Sequence, residues 1–275
     1  MKIGIIGYGT IGKVILEKTL ESNAIEQSNF YVSERAYERI MNLNAIYPEL
    51  NICKNNIEAA KEVDMLFICV KAAEVKRVLS EIIDNIKSHC HIISLNVSIL
   101  LEQLETICPD KKISRIIPSV MAEVNRSQTL ICHNNYVTDD DKNRINRLLE
   151  SFGSVIEIPE KEIGISVELT SCMPGFIGAI FKVITDEAEK HTSMDRAQIK
   201  RMIVETMYGT SKLLLEKEIT FKNLMNMVAT KGGITEEGIE IILEKLPKVI
   251  NEMFLTTFER GRIITEVAKT EFLLE

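Results

Sequence analysis

At 275 residues the chain is long for one domain and comfortable for two. Apolar residues make up 45% of it and charged residues 27%, enough for a sizeable core and too ordinary a balance for global disorder. A net charge of −7 argues against a general nucleic-acid or anionic-membrane surface.

Met1 leads directly into "KIGIIGYG" with no basic region ahead of an apolar run, so no targeting segment and a cytoplasmic setting are expected. The run 3–6 reads as a buried strand, and "TIGKVILEKTLES" carries Ile11, Val14, Ile15 and Leu20 on one helical face. Next come a strand "NFYVS", a helical "RAYERIMNLNAIY", a short strand "NICKN" and the strand "DMLFICV". A helix through "EVKRVLSEIIDNI" is followed by the strands "HIISLNV", "KISRIIPS" and "TLICHN". Alternation of this kind, with continuous apolar strands, points to a parallel sheet covered on both faces. Thr138 is a good cap for "DDDKNRINRLLESF", Gly153 ends that helix, and "SVIEI" is the last strand.

After Pro159 the strand signals stop. Helices are expected in "KEIGISVELTS", "GFIGAIFKVITDEAEKH", "DRAQIKRMIVETMYGTSKLLLEK", "TFKNLMNMV", "TEEGIEIILEKL" and "KVINEMFLTTFERGRIITEVAK". The fold class is therefore α/β followed by all-helical, with domains at 1–159 and 160–275. The stretch "LTSCMPGFIGAIF" has no charge but carries Pro174, Gly175 and Gly178, residues unsuited to an ordinary helix interior. Its apolar run is short of the about 20 residues of a membrane span, so a buried helix is expected. The six cysteines show no C-x-x-C and read as buried free thiols. "HCH" at 89–91 reads as a polar turn into a strand, and no metal is expected.

"IGIIGYGTIG" places Gly7, Gly9 and Gly12 in G-x-G-x-x-G spacing between strand and helix. The first glycine permits the tight turn, the second lets backbone approach a pyrophosphate, and the third packs helix on strand. Gly7, Tyr8, Gly9, Thr10, Ile11 and Gly12 are thus the expected phosphate loop. The second strand ends in Ser33, Glu34 and Arg35. With Ser33 in the acid's usual place, its hydroxyl and Arg35 suit a 2′-phosphate and favour NADP. With Glu34 turned inward, its carboxylate would repel that phosphate and favour NAD.

Seven motifs then follow in one order: "IGIIGYGTIG", "VSER", "FICVK", "IISLNVS", "RIIPS", "LTSCMPGF" and "VATKGGIT". In this the chain resembles the pyrroline-5-carboxylate reductases, over nearly its whole length. The resemblance implies a Rossmann-type domain followed by a helical domain through which two chains interlock. It also implies NAD(P)H-dependent reduction of a cyclic imine, pyrroline-5-carboxylate, to proline. Val70 and Lys71 would lie beside the cofactor ribose and Asn96 near the nicotinamide. Lys231, Gly232, Gly233, Ile234 and Thr235 would bind the substrate carboxylate, with Thr170, Ser171 and Cys172 presenting small polar groups. The Thr235 hydroxyl, a group able to bond to the imine nitrogen or the carboxylate, is the candidate catalytic group.

The substrate-side motifs depart from the family. Ser119, Val120 and Met121 follow Pro118 where M-P-N-T-P is usual, and Met173 stands where G-S-G-P has its second glycine. Lys231 replaces a proline and Ile234 a threonine. "IPS", "SC-x-P-x-F" and "GGIT-x-EG" look most like the late-competence (ComER-like) branch. The alternatives are a dinucleotide-binding regulator without efficient turnover and a β-hydroxyacid dehydrogenase-like enzyme using Lys182. A homodimer, with a higher oligomer left open, is expected through a helical half rich in Met202, Met207, Met225, Met227 and Met253, with internal packing of these residues as the other reading.

Overall fold

Strand β1 (Ile3–Ile6) is buried at every position, and α1 (Thr10–Glu21) covers it with Val14, Ile15 and Leu16. The computed structural model of the chain describes residues 1–274. Then follow β2 (Phe30–Ser33), β3 (Asn51–Ile52), α2 (Asn56–Ala60), β4 (Met65–Ile68) and α3 (Ala72–Ile82). The sheet is completed by β5 (His91–Ser94), β6 (Lys112–Ile117), β7 (Ser127–His133) and β8 (Gly153–Glu157), with α4 (Leu101–Ile107) and α5 (Asp139–Leu149) between them. Its order is β3-β2-β1-β4-β5-β6-β7-β8. The chain winds outward from β1 in one direction through β2 and in the other from β4, so the switch point lies between β1 and β4. Two apolar layers cover the two faces, one holding α1 and α5, the other α2, α3 and α4.

The sheet is not wholly parallel. β7 runs antiparallel to β6, and β8 is parallel to β7. The link 118–126 explains this, because a parallel crossover needs a dozen or more residues. It forms a short 3₁₀ turn (Val120–Val124) instead, ending on Asn125 at φ 56°. The helix expected in "RAYERIMNLNAIY" is also absent. Two 3₁₀ turns stand there, Tyr37–Arg39 and Leu43–Ala45. Ile40 and Leu43 are buried while Tyr37, Met41 and Ile46 are exposed, so no continuous apolar stripe runs along the segment to seat a helix. The cap at Thr138 forms as expected: its hydroxyl accepts from the Asp141 N–H at 3.3 Å, and the Asp141 carboxylate accepts from the Thr138 N–H at 3.0 Å.

Beyond the sheet come α6 (Ile163–Val167), a π-helical turn (Glu168–Cys172), α7 (Met173–Ala188), α8 (Arg196–Lys217), α9 (Phe221–Val228) and α10 (Ile234–Leu274). Two helices were expected where α10 runs unbroken through Pro247. The proline removes one backbone bond there, and the helix-forming residues on either side carry the run across it. By compactness the chain divides into Met1–Cys172 with Phe258–Glu275, and Met173–Thr257. In the first unit Ala268 and Phe272 join the apolar layer of α2, α3 and α4, and the Lys76 ammonium donates to the Phe272 carbonyl at 2.8 Å.

In the second unit the apolar side chains find little cover. Ile177, Ile180 and Val183 of α7 are exposed, as are Met202, Met207 and Met227, and Thr185 is the one buried residue described in α7. The buried helix expected at 169–181 is therefore not found: its apolar face is uncovered within a single chain. The helical run Glu160–His191 is long and apolar enough to cross a membrane by length and composition alone.

All six cysteines are free thiols. Burial pushes Cys53 up to about 11 and Cys90 up to about 12, which leaves both protonated and unreactive near neutrality.

Candidate functional site

The three glycines of the first turn do three different things. Gly7 adopts φ 97°, where a side chain would be strained, and its N–H donates to the Ser33 carbonyl at 2.9 Å. Gly9 faces open space, with nothing within 4 Å of where a Cβ would stand. A Cβ at Gly12 would come within 2.2 Å of the Gly7 carbonyl oxygen, so helix and strand pack through bare backbone. Gly9 also caps α1 without any side-chain bond to the helix amides. Free N–H groups and open space at one helix N-terminus fit a pyrophosphate.

A cavity of about 240 Å³ opens there, lined by Gly7, Gly9, Glu34, Arg35, Val70 and Lys71. Six of the residues expected to hold a dinucleotide thus meet in one place. Lys71 caps α3 just beyond β4, and Val70 precedes it. Asn96 sits past the end of β5, and its side-chain amide donates to the Val70 carbonyl at 3.0 Å. Arg115 holds this corner from below: its guanidinium donates to the Val97 carbonyl at 2.6 Å and to that of Asn96 at 3.3 Å, and pairs with Glu160. The Glu160 carboxylate also accepts from the Leu101 N–H. Tyr8 is buried, with its hydroxyl beside Glu17, and Thr10 is exposed at the first position of α1, next to the half-buried Ile11. Burial, followed by Glu17, pushes the Tyr8 hydroxyl well above its ordinary value.

The end of β2 departs from the simpler of the two expectations. Ser33 is buried, and its hydroxyl donates to the Asn56 side-chain oxygen at 2.8 Å. Asn56, not Ser33, lines the cavity. Glu34 turns inward: its carboxylate accepts from the Tyr8 N–H at 2.7 Å and the Ala36 N–H at 3.2 Å. Arg35 is largely exposed and pairs with Glu74. Sequence reading missed Arg39, Asn56, Glu74 and Arg77 on the cavity wall. Glu74 and Arg77 follow Lys71 at helical spacing, which was a usable signal. Asn56 had none, because nothing local tells that α2 begins beside β2.

At the π-helical turn, the Thr170 hydroxyl donates to the Ser166 carbonyl at 2.8 Å and the Ser171 hydroxyl to the Pro118 carbonyl at 3.3 Å. Pro174 accounts for the widened turn, since it has no N–H and its ring would collide with the carbonyl four residues earlier. Cys172 is half-buried, and burial followed by Glu168 raises its thiol. The carboxylate of Glu168 is buried with one oxygen unpartnered.

The turn 231–235 belongs to the second unit. Gly232 adopts φ 72°, and Gly233 packs so closely that a Cβ would meet the Thr230 hydroxyl at 2.4 Å. The Gly232 N–H, expected to await a carboxylate, donates to Glu236 at 2.6 Å. Lys231 and Ile234 are exposed and Thr235 half-buried at the start of α10. Lys182, the residue a dehydrogenase-like reading would need, is exposed and paired with Asp186 at 2.6 Å.

Residues 160–263 match the family model described as pyrroline-5-carboxylate reductase dimerisation, and residues 2–98 match NADP oxidoreductase coenzyme F420-dependent. The chain is 32% identical to Pyrroline-5-carboxylate reductase 3 of Bacillus subtilis over 96% of this chain and 97% of that protein. It is 26% identical to ComE operon protein 4 of the same organism, over 99% of each. Among solved structures, Plasmodium falciparum pyrroline carboxylate reductase with NADP bound superposes with a TM-score of 0.82 at 21% identity, covering 99% of this chain and 98% of that one. A Rossmann-type sheet domain followed by helices, matched from end to end by a reductase, means that this chain belongs to the pyrroline-5-carboxylate reductase family.

Proposed function

We propose that the chain is an NAD(P)H-dependent reductase of a small cyclic imino acid, converting pyrroline-5-carboxylate to proline. The observation that carries this reading is the 32% identity to a reductase of that name along 96% of the chain. The cofactor is NADP(H), with NAD(H) as the alternative. In favour of NADP(H) are the family described for residues 2–98 and the NADP held by the Plasmodium falciparum relative.

The dinucleotide supplies the hydride. Gly7, Tyr8, Gly9, Thr10, Ile11 and Gly12 hold its pyrophosphate, Glu34 and Arg35 face its adenosine ribose with Ser33 behind them on Asn56, Val70 and Lys71 lie beside the cofactor ribose, and Asn96 lies near the nicotinamide. Reducing an imine carbon demands placement of the two reactants more than a strong nucleophile. Lys231, Gly232, Gly233 and Ile234 hold the substrate carboxylate, which must displace Glu236 from the Gly232 amide. Thr170, Ser171 and Cys172 present small polar groups, and Thr235 bonds to the imine nitrogen as the catalytic group.

The functional division falls at 1–159 for the cofactor and 160–275 for dimerisation and substrate. Two copies pair through the helical half, supported by the dimerisation match and by the uncovered apolar face of α7. A cytoplasmic setting, without nucleic-acid or membrane partners, goes with this metabolic reading.

The test is NADPH consumption by the pure protein with pyrroline-5-carboxylate, beside a binding titration of NADPH alone. Turnover that falls at least about tenfold in Thr235→Ala is expected, the cost of one hydrogen bond in the transition state. Tight NADPH binding without turnover would favour the regulator reading instead.

A further inference from the structure

We propose that Glu34 is a specificity-determining residue that makes the adenosine-ribose end of the cavity accept an unphosphorylated ribose, so that NADH binds in competition with NADPH. This inference rests on the dinucleotide reading of the same cavity. The Glu34 side chain is only 13% exposed. One oxygen accepts from the Tyr8 N–H at 2.7 Å, inside the glycine-rich turn, and the other from the Ala36 N–H at 3.2 Å. Two backbone amides on different segments therefore hold the carboxylate at the cavity wall. That is where an acid accepts ribose hydroxyls in sites built for the unphosphorylated cofactor.

Of the four cations on the cavity wall, Lys71 caps α3 and the three arginines already face carboxylates. Arg35 pairs with Glu74, and Arg77 lies 3.8 Å from the same carboxylate. Arg39 is 3.8 Å from Glu34 itself. The Ser33 hydroxyl, a donor a 2′-phosphate would use, is buried and donates to Asn56. A 2′-phosphate entering here brings negative charge against two carboxylates, one of them fixed by backbone. A ribose diol brings two donors to an acceptor already in position. Substrate-side departures in this chain are thus joined by a cofactor-side one, in which Glu34 is fixed by backbone amides and Arg35 is paired with Glu74.

The experiment measures dissociation constants for NADPH and NADH with the full-length protein and with Glu34→Gln and Glu74→Gln, each checked by thermal melting. In the native protein the two constants are expected to lie within about tenfold of each other. Glu34→Gln keeps an acceptor for Tyr8 but removes the charge, and should raise the NADPH-over-NADH ratio at least about tenfold. Glu74→Gln frees Arg35 and should strengthen NADPH alone, which keeps the test alive if the first variant does not fold. A native preference for NADPH beyond about tenfold, or a ratio unchanged in both variants, would overturn the proposal. Failure of both cofactors to bind would overturn the dinucleotide reading itself, and the proposal with it.

Discussion

A methyl group added at Gly12 would stand 2.2 Å from the Gly7 carbonyl oxygen, whereas one added at Gly9 would meet nothing within 4 Å. The two substitutions therefore separate folding from binding. Gly12→Ala forces backbone apart in a packed interior and should destabilise the protein by about 1–3 kcal/mol, read as a lower melting temperature. Gly9→Ala should leave melting nearly unchanged but weaken NADPH at least about tenfold, because the methyl fills the space a pyrophosphate needs. Equal melting of the two variants would contradict this division of labour. The motif was legible because spacing alone implies it. The orientation of Glu34 was not, because at a strand's end adjacent side chains point to opposite faces and only the neighbouring loop decides which one is caught.

Three strands bring together a cluster that no local pattern announced. Ser114 of β6 lies 2.6 Å from the Nε2 of His91 on β5 and 2.6 Å from the Nδ1 of His133 on β7. One hydroxyl can donate to one imidazole and accept from the other, which suits two neutral rings. Burial pushes His91 down to about 3, with Asp141 opposing and His133 and Lys112 assisting. Burial also lowers His133, against Glu157. Both folded values lie below the unfolded one of about 6.5, so on acidification the unfolded chain takes protons first. Stability is full above about pH 6.5 and falls below it, by up to about 1.4 kcal/mol per pH unit for His91 until the pH nears its folded value. The melting temperature should drop between pH 7 and pH 5, and His91→Leu should flatten that drop. A flat native profile would count against it.

The second unit exposes Ile180 at 40% and Val183 at 60%, on a helix whose sequence promised burial. Uncovered apolar side chains on one element are what an interface needs, and the dimerisation match over 160–263 supports a second copy as their cover. Light scattering should give at least twice the chain mass of 31.1 kDa. Replacing Ile180 and Val183 together by Asp should yield monomer, since two charges buried without partners oppose association. A native protein that is strictly monomeric at working concentration would contradict the paired reading.

Composition and periodicity alone determined most of the alternating strands and helices, the place of the glycine-rich turn and the change to helices after Pro159. Each is a local property of residue type and spacing. Only the tertiary structure decided that β7 turns back, that Ser33 faces Asn56 while Glu34 takes the Tyr8 amide, and that Ala268 and Phe272 join the apolar layer of α2, α3 and α4. These depend on which distant segments meet, and a one-dimensional pattern carries no record of that.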